Sequence, residues 1–256
     1  MFKRSFVFIY GVACYAVFLV TFLYAIGFVG DFIVPRSIDS APLGDFWNSL
    51  GVDLALLALF AVQHSGMARK GFKRWLTRFV AEPIERSTYV LASSAALIVL
   101  FAFWQPLGGV LWSVEDPLAV GVLRVLCAFG WLTVLVATFL INHFDLFGLR
   151  QVWLYATSQP YRSLEFRTPG PYRLIRHPLY FGFIVAFWAT PTMTVAHLVF
   201  ALATTLYILI AIQLEERDLV ANLGEKYRAY RRQVPMIVPF TGDRGVPGIA
   251  DENITM

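Results

Sequence analysis

Charge is what this chain has least of. Asp, Glu, Lys and Arg make up 15% of its 256 residues, whereas a soluble domain carries about a quarter. From residue 183 to residue 214 there is none. With 58% of residues hydrophobic, several runs approach the roughly 20 apolar residues that cross a bilayer. A soluble globular fold is excluded. The runs are continuous rather than alternating, which argues against a membrane barrel. Backbone groups in lipid must then be satisfied inside helices. The expected class is an all-α integral membrane protein.

Cysteine is almost as scarce. Cys14 and Cys127 both lie within apolar runs, so neither a disulfide framework nor a cysteine metal site is indicated. The four histidines fit no helical ligand pair and no zinc spacing, and no metal is expected. There is no P-loop, no glycine-rich dinucleotide turn and no Ser-His-Asp elbow. The formal charge of +4 sits in short loops beside apolar runs. Positive-inside bias accounts for it, and no nucleic-acid partner is expected.

The runs predict spans at 6–29, 46–63, 88–104 and 118–141, followed by the stretch 178–214. Lys3 and Arg4 precede the first run, which is too long for a signal-peptide core and reads as a retained anchor. Basic loops alternate with non-basic ones. The 64–87 and 142–177 loops are rich in Lys and Arg, whereas the 30–45 and 105–117 loops carry mainly acids. This places the N-terminus, both basic loops and the C-terminal tail in the cytoplasm. Both ends of 178–214 are then cytoplasmic, so the chain must cross an even number of times between them. A single helix over that stretch would be about 50 Å long, well beyond the hydrocarbon core. Thr190-Pro191-Thr192 offers the break. The prediction is a C-terminal helical hairpin, with arms at about 178–189 and 193–214. That gives five to six transmembrane helices in one membrane domain, 1–240, followed by a flexible cytoplasmic tail, 241–256.

Two further segments read as interfacial amphipathic helices. Phe72, Trp75, Leu76, Phe79 and Val80 recur at helical spacing among basic residues. So do Leu219, Val220, Leu223, Tyr227 and Tyr230.

This topology gathers polar residues at one membrane face. His64 closes the second span there. Asn142, His143 and Asp145 follow the fourth. Arg176 and His177 open the hairpin, and Glu215 and Glu216 close it. Each has a plain reading beside a functional one: helix caps for Asn142 and Asp145, a solvated helix end for the glutamates, and interfacial anchoring for Tyr227 and Tyr230. His197 lies inside the second arm and reads as a hydrogen-bonded packing residue.

The ordered set Arg176-His177-Pro178-Leu179-Tyr180-Phe181-Gly182, Glu215-Glu216-Arg217-Asp218-Leu219, Gly224-Glu225-Lys226-Tyr227-Arg228-Ala229-Tyr230 and Val234-Pro235 to Pro239 resembles the C-terminal signature of the isoprenylcysteine carboxyl methyltransferase and phospholipid methyltransferase group. It spans about 170–240. Gln63-His64-Ser65 and the run Asn142 to Gln151 resemble the nurim family. Within that family the whole chain is similar to bacterial members that convert methanethiol to dimethyl sulfide.

The resemblance implies S-adenosyl-L-methionine as methyl donor and a small volatile thiol as acceptor, with the lipid bilayer around both. It implies one pocket wall from Arg176, His177, Pro178, Tyr180 and Gly182. Another would come from Glu215 and Glu216, with Tyr227, Tyr230 and Pro235 nearby. Such chemistry needs a thiolate. His143, Asp145 and His64 are the base candidates. Two alternatives stay open: a methyltransferase acting on a prenylcysteine or phospholipid, and a non-catalytic nurim-like membrane protein.

Overall fold

A computed structural model describes residues 2–42 and 44–239. The expected tail at 241–256 lies outside the described residues. Among the described residues, five helices are long and apolar enough to cross a membrane: Phe2–Gly30, Phe46–Ala68, Glu82–Phe103, Pro117–Ile141 and Val195–Leu223. In chain order the helices are α1 (Phe2–Gly30), α2 (Phe46–Ala68), α3 (Lys70–Leu76), α4 (Glu85–Phe103), α5 (Pro117–Ile141), α6 (His143–Leu146), α7 (Leu149–Ala156), α8 (Pro178–Trp188), α9 (Val195–Leu223) and α10 (Glu225–Gln233). α4 is extended at its start by a 3-10 turn over Glu82–Ile84.

Helix starts follow local chemistry. Asp45 caps α2 by accepting from the Trp47 and Asn48 amides, and Asp116 caps α5 by accepting from the Ala119 amide, with Pro117 behind it. Outward faces stay apolar: Leu118, Val122, Val125, Phe129 and Leu132 of α5 are all exposed. In water that would be costly, and in lipid it is the expected surface. The bundle packs α1 against α4 and α7, α2 against α4 and α9, and α5 against α8. Its buried centre holds Phe28, Leu100, Phe101, Trp104, Trp131, Phe187 and Phe200.

The close crossing of α8 on α5 is set by two glycines, Gly130 and Gly182. A side chain at Gly182 would meet the Gly130 carbonyl at 2.7 Å and the Val134 amide at 2.9 Å. Only hydrogen at these positions lets α8 lie directly on α5.

The hairpin is present, and three features define it. First, its short arm α8 has 11 residues and rises about 16 Å, too short to cross alone, so among the described residues five helices rather than six are long enough to span. The remaining depth is taken up by extended chain. Thr192–Thr194 (β2) pairs antiparallel with Val110–Ser113 (β1). The pairing continues on both sides, through Val114 N to Pro191 O at 3.0 Å and Val195 N to Gly109 O at 3.1 Å. Non-helical backbone near a membrane needs such partners. Second, α9 does not stop near residue 214. Nothing breaks it before Gly224, so Glu215 and Glu216 sit inside the helix and Leu219, Val220 and Leu223 form its last turns. Third, Gly224 takes φ 59°, a left-handed value that favours glycine, and the chain restarts as α10. The predicted amphipathic segment is therefore the end of one helix and the whole of the next. Similarly, α2 runs past His64 to Ala68, so His64 lies one turn inside the helix.

The two ends of the bundle sort as the loop charges require. Arg69 pairs with Asp218 at 3.3 Å and Lys70 bonds Asn222 at 2.7 Å, and Arg4 bonds Ser158, so the N-terminus and both basic loops share one end with the end of α9. At the other end Asp39 of the acidic loop accepts from Thr194 at 2.5 Å and bonds His197 at 2.9 Å. His197 is fully buried, and its other nitrogen meets Phe187 O at 2.9 Å. It is the packing residue the sequence suggested. Asp53 is fully buried as well, and accepts from the Gln105 amide at 2.8 Å.

Candidate active site

Glu216 is the hub of the signature residues. Position 216 falls on the inner face of α9, and its side chain is 3% exposed. Oε1 accepts from Arg176 Nε at 2.7 Å and lies 3.0 Å from His177 Nε2. Oε2 lies 3.2 Å from Arg231 Nε. The carboxylate is saturated by three cationic or imidazole groups. Arg176 also reaches the C-terminal segment. Its Nη1 donates to Val234 O at 2.5 Å and to Arg231 O at 3.1 Å. Backbone bonds follow the same path, Arg176 N to Pro235 O at 2.9 Å and His177 N to Met236 O at 3.2 Å. The arginine fork thus ties the hairpin mouth, α10 and the proline-containing segment after it into one unit.

Glu215 is different. Its side chain is 47% exposed and stands 3.9 Å from His177 Nδ1, beyond hydrogen-bond range. Its carboxylate retains capacity for donors. Close by, the Tyr172 hydroxyl is buried and has no hydrogen-bond partner among the described residues. Burial, and then the charge of Glu215, push its pKa up, so it stays protonated as a donor. α10 turns Tyr227 and Tyr230 inward. Tyr227 is 1% exposed; the two rings are 5.8 Å apart, and Phe166 stands 5.8 and 5.6 Å from them. The Tyr230 hydroxyl donates to Tyr172 O at 2.6 Å. Burial raises the pKa of both tyrosines, keeping an aromatic, neutral wall next to the ion network.

Of the signature residues, Arg176, His177, Tyr180, Glu215, Glu216, Tyr227, Tyr230 and Pro235 come together. Pro178 and Gly182 turn toward α5. Pro178 helps line an apolar cavity of about 370 Å³ with Phe129, Val136, Leu174, Phe181 and Pro239. The network adds Arg231 and Tyr172, which the motif comparison left out. Their signal was available only in part: Arg231 follows Tyr227 at the next helical turn, whereas Tyr172 lies in a loop with no periodicity.

The three base candidates occupy separate places. His143 is buried, with Tyr15 on Nε2 at 2.8 Å, Thr138 on Nδ1 at 2.9 Å and Phe139 stacked at 4.3 Å. Burial lowers its pKa. Asp145 is held by Arg150 at 2.8 Å, with the Tyr161 hydroxyl at 3.4 Å and the Arg150 guanidinium over the Tyr161 ring. Asn142 accepts from the Asp145 amide and caps α6. His64 lies between α2 and α4, 3.2 Å from Ser93 Oγ and stacked against Phe60. Among the described residues no group of three metal-ligating side chains converges.

Residues 107–226 match the family model for phospholipid methyltransferase. A methanethiol S-methyltransferase of Crocosphaera subtropica is 55% identical over 242 residues, 94% of this chain and 95% of that protein. One from Mycobacterium tuberculosis is 55% identical over 93% of this chain and 98% of its own length. The chain belongs to the methanethiol S-methyltransferase family. Nurim of Xenopus laevis is a more distant relative, 30% identical over 73% of this chain and 70% of that protein. No solved structure matches. The protein is therefore a membrane methyltransferase, and the motif set at 176–239 lies partly within the region that the family model matches.

Proposed function

We propose that this protein transfers a methyl group from S-adenosylmethionine to methanethiol, giving dimethyl sulfide, at the bundle end that carries Glu215 and Glu216. We place that end in the cytoplasm. The acceptor is inferred from the relatives, which carry that activity in their names at 55% identity over almost the whole chain. The observation that carries the site is a partly free carboxylate, Glu215, together with a buried Tyr172 hydroxyl that has no hydrogen-bond partner among the described residues.

The donor set fits the methyl donor. Glu215 accepts from hydroxyl or ammonium groups. Tyr172 supplies a donor that is otherwise unsatisfied, and a buried donor without a partner is costly. Arg231 has guanidinium N–H groups beyond the one spent on Glu216. The Tyr227 and Tyr230 faces favour a cation beside them. Arg176, His177 and Glu216 hold these groups in place and close the segment Val234 to Pro239 over them. Pro178 sets the start of α8 on the apolar side. When bound, the donor supplies an activated methyl group on sulfonium. The protein's part is to fix the acceptor in line with it, exclude water and receive the thiol proton.

The test is titration of S-adenosylhomocysteine into purified protein and into Glu215→Ala. Removing one polar partner in a half-buried site weakens binding by about 1–3 kcal/mol. Equal affinity in the two proteins would remove Glu215 from the site, and no binding to either would remove the donor.

A further inference from the structure

Gln63, His64 and Ser65 are three consecutive polar residues inside a membrane helix, and each reaches a neighbour. Gln63 Nε2 donates to Ser93 Oγ at 3.4 Å, His64 Nδ1 lies 3.2 Å from the same hydroxyl, and Ser65 Oγ lies 3.0 Å from the Tyr207 hydroxyl. Polar groups at this depth are paired or in use. Pairing accounts for Ser65. It accounts for only one side of His64.

The imidazole is flanked by two aromatic rings, Phe60 at 5.2 Å and Tyr89 at 5.2 Å between centroids. The Tyr89 hydroxyl lies 3.1 Å from Nδ1 and 3.0 Å from Nε2. An oxygen so nearly equidistant from both nitrogens cannot lie in the ring plane, because it would collide with the carbon between them. It stands over the ring face. Ser93 therefore meets Nδ1, and the in-plane direction of Nε2 has no partner among the described residues. His143 and His197 have both ring nitrogens bonded.

The surroundings connect this nitrogen to the signature cluster. Phe60, stacked on His64, stands 6.2 Å from the Tyr207 ring of α9. Tyr180 of α8 stands 5.7 Å from His177, and α8 packs on α9.

We propose that His64 Nε2 takes the proton of the acceptor thiol, in a subsite walled by Tyr89, Tyr180 and Tyr207, and that Ser93 and Tyr89 are positioning residues that aim it. This rests on the methyl-transfer reading above. The S–H bond breaks, the proton goes to Nε2 and the electron pair stays on sulfur. That sulfur bonds the methyl carbon as the carbon's bond to the donor sulfonium breaks, and that pair neutralises the sulfonium. The tyrosine hydroxyls donate to the nucleophilic sulfur. His64 then gives its proton to water at the basic end, so one proton is released per methyl transferred. An aromatic wall on three sides selects a small thiol over a long one.

The experiment is methanethiol turnover against pH for the wild type, His64→Asn and Ser93→Ala, with S-adenosylhomocysteine affinity measured on each. His64→Asn is expected to lose on the order of 10²- to 10⁴-fold near neutral pH. It regains turnover as the thiol ionises unaided, and binds S-adenosylhomocysteine as the wild type does. Ser93→Ala keeps the base but frees the ring, so its acid limb shifts along the pH axis at unchanged affinity. A packing serine would leave the shape of the profile alone. An His64→Asn profile parallel to the wild type overturns the proposal. Should His64→Asn not fold, an unshifted Ser93→Ala limb overturns it. Wild-type protein that yields no sulfide sinks the methyl-transfer reading itself, a result distinct from either.

Discussion

Arg176→Lys is the substitution that the signature cluster should tolerate least for its size. The arginine side chain is 10% exposed and makes three contacts at once, to Glu216 at 2.7 Å, Val234 O at 2.5 Å and Arg231 O at 3.1 Å. A lysine ammonium is a single point of charge without the fork, and from position 176 it can hold Glu216 or the carbonyls but not both sets. Two charge-assisted bonds are lost, each about 1.5 kcal/mol at the low end of the range that applies beside water. The sum is about 3 kcal/mol, or roughly 100-fold in the docking equilibrium of Val234 to Pro239. Hydrogen exchange reads this directly, because the His177 amide donates to Met236 O at 3.2 Å and is freed when the segment lifts. Peptides containing residue 177 should exchange about 100-fold faster in Arg176→Lys than in the wild type, while peptides from the α4 interior keep their rate. Unchanged exchange at residue 177 would show that the fork does not hold the segment down.

Three further outcomes are expected. Burial holds the His143 pKa below its ordinary value of 6.5, so the unfolded chain binds the proton first. Its contribution to stability is whole above about pH 6.5 and is lost as pH falls toward the folded value; His143→Gln should flatten that acid slope in thermal unfolding, and an unaltered slope would assign it to other groups. Gly182→Ala pushes a methyl against the Gly130 carbonyl and the Val134 amide and should cost about 1–3 kcal/mol or more, whereas Gly51→Ala, which meets nothing within 4 Å, should be neutral or stabilising in the same melting assay. Reporter fusions at residues 110 and 160 should give opposite topology signals, with 160 cytoplasmic, and matching signals would overturn the orientation.

The sequence exposed the ends of the bundle better than its middle. Charge inside apolar sequence is expensive, so Arg176, His177, Glu215 and Glu216 stood out where they occur, and the parity of basic loops predicted the hairpin between them. What pattern could not show was the use of each residue. Glu215 and Glu216 are adjacent and chemically identical, yet the turn of α9 buries one among three partners and leaves the other half-exposed. Gly182 sits in the signature, but the space it clears belongs to α5. The strand pair joins residues about 80 positions apart, and neither strand is long enough to show alternation. His143 and His64 looked alike beside their span ends. Only the positions of Tyr15, Thr138, Ser93 and Tyr89, on other turns and helices, distinguish a histidine with both nitrogens bonded from one whose Nε2 has no in-plane partner among the described residues.

The methyl group itself can be followed from donor to thiol. Purified protein is incubated with methanethiol and S-adenosylmethionine carrying a trideuterated methyl group, and the headspace is analysed by mass spectrometry. Dimethyl sulfide bearing one trideuteromethyl group is expected, formed in step with S-adenosylhomocysteine and abolished in Glu215→Ala at donor concentrations that saturate only the wild type. Unlabelled sulfide, or labelled methyl appearing only in lipid, would contradict methyl transfer to the thiol.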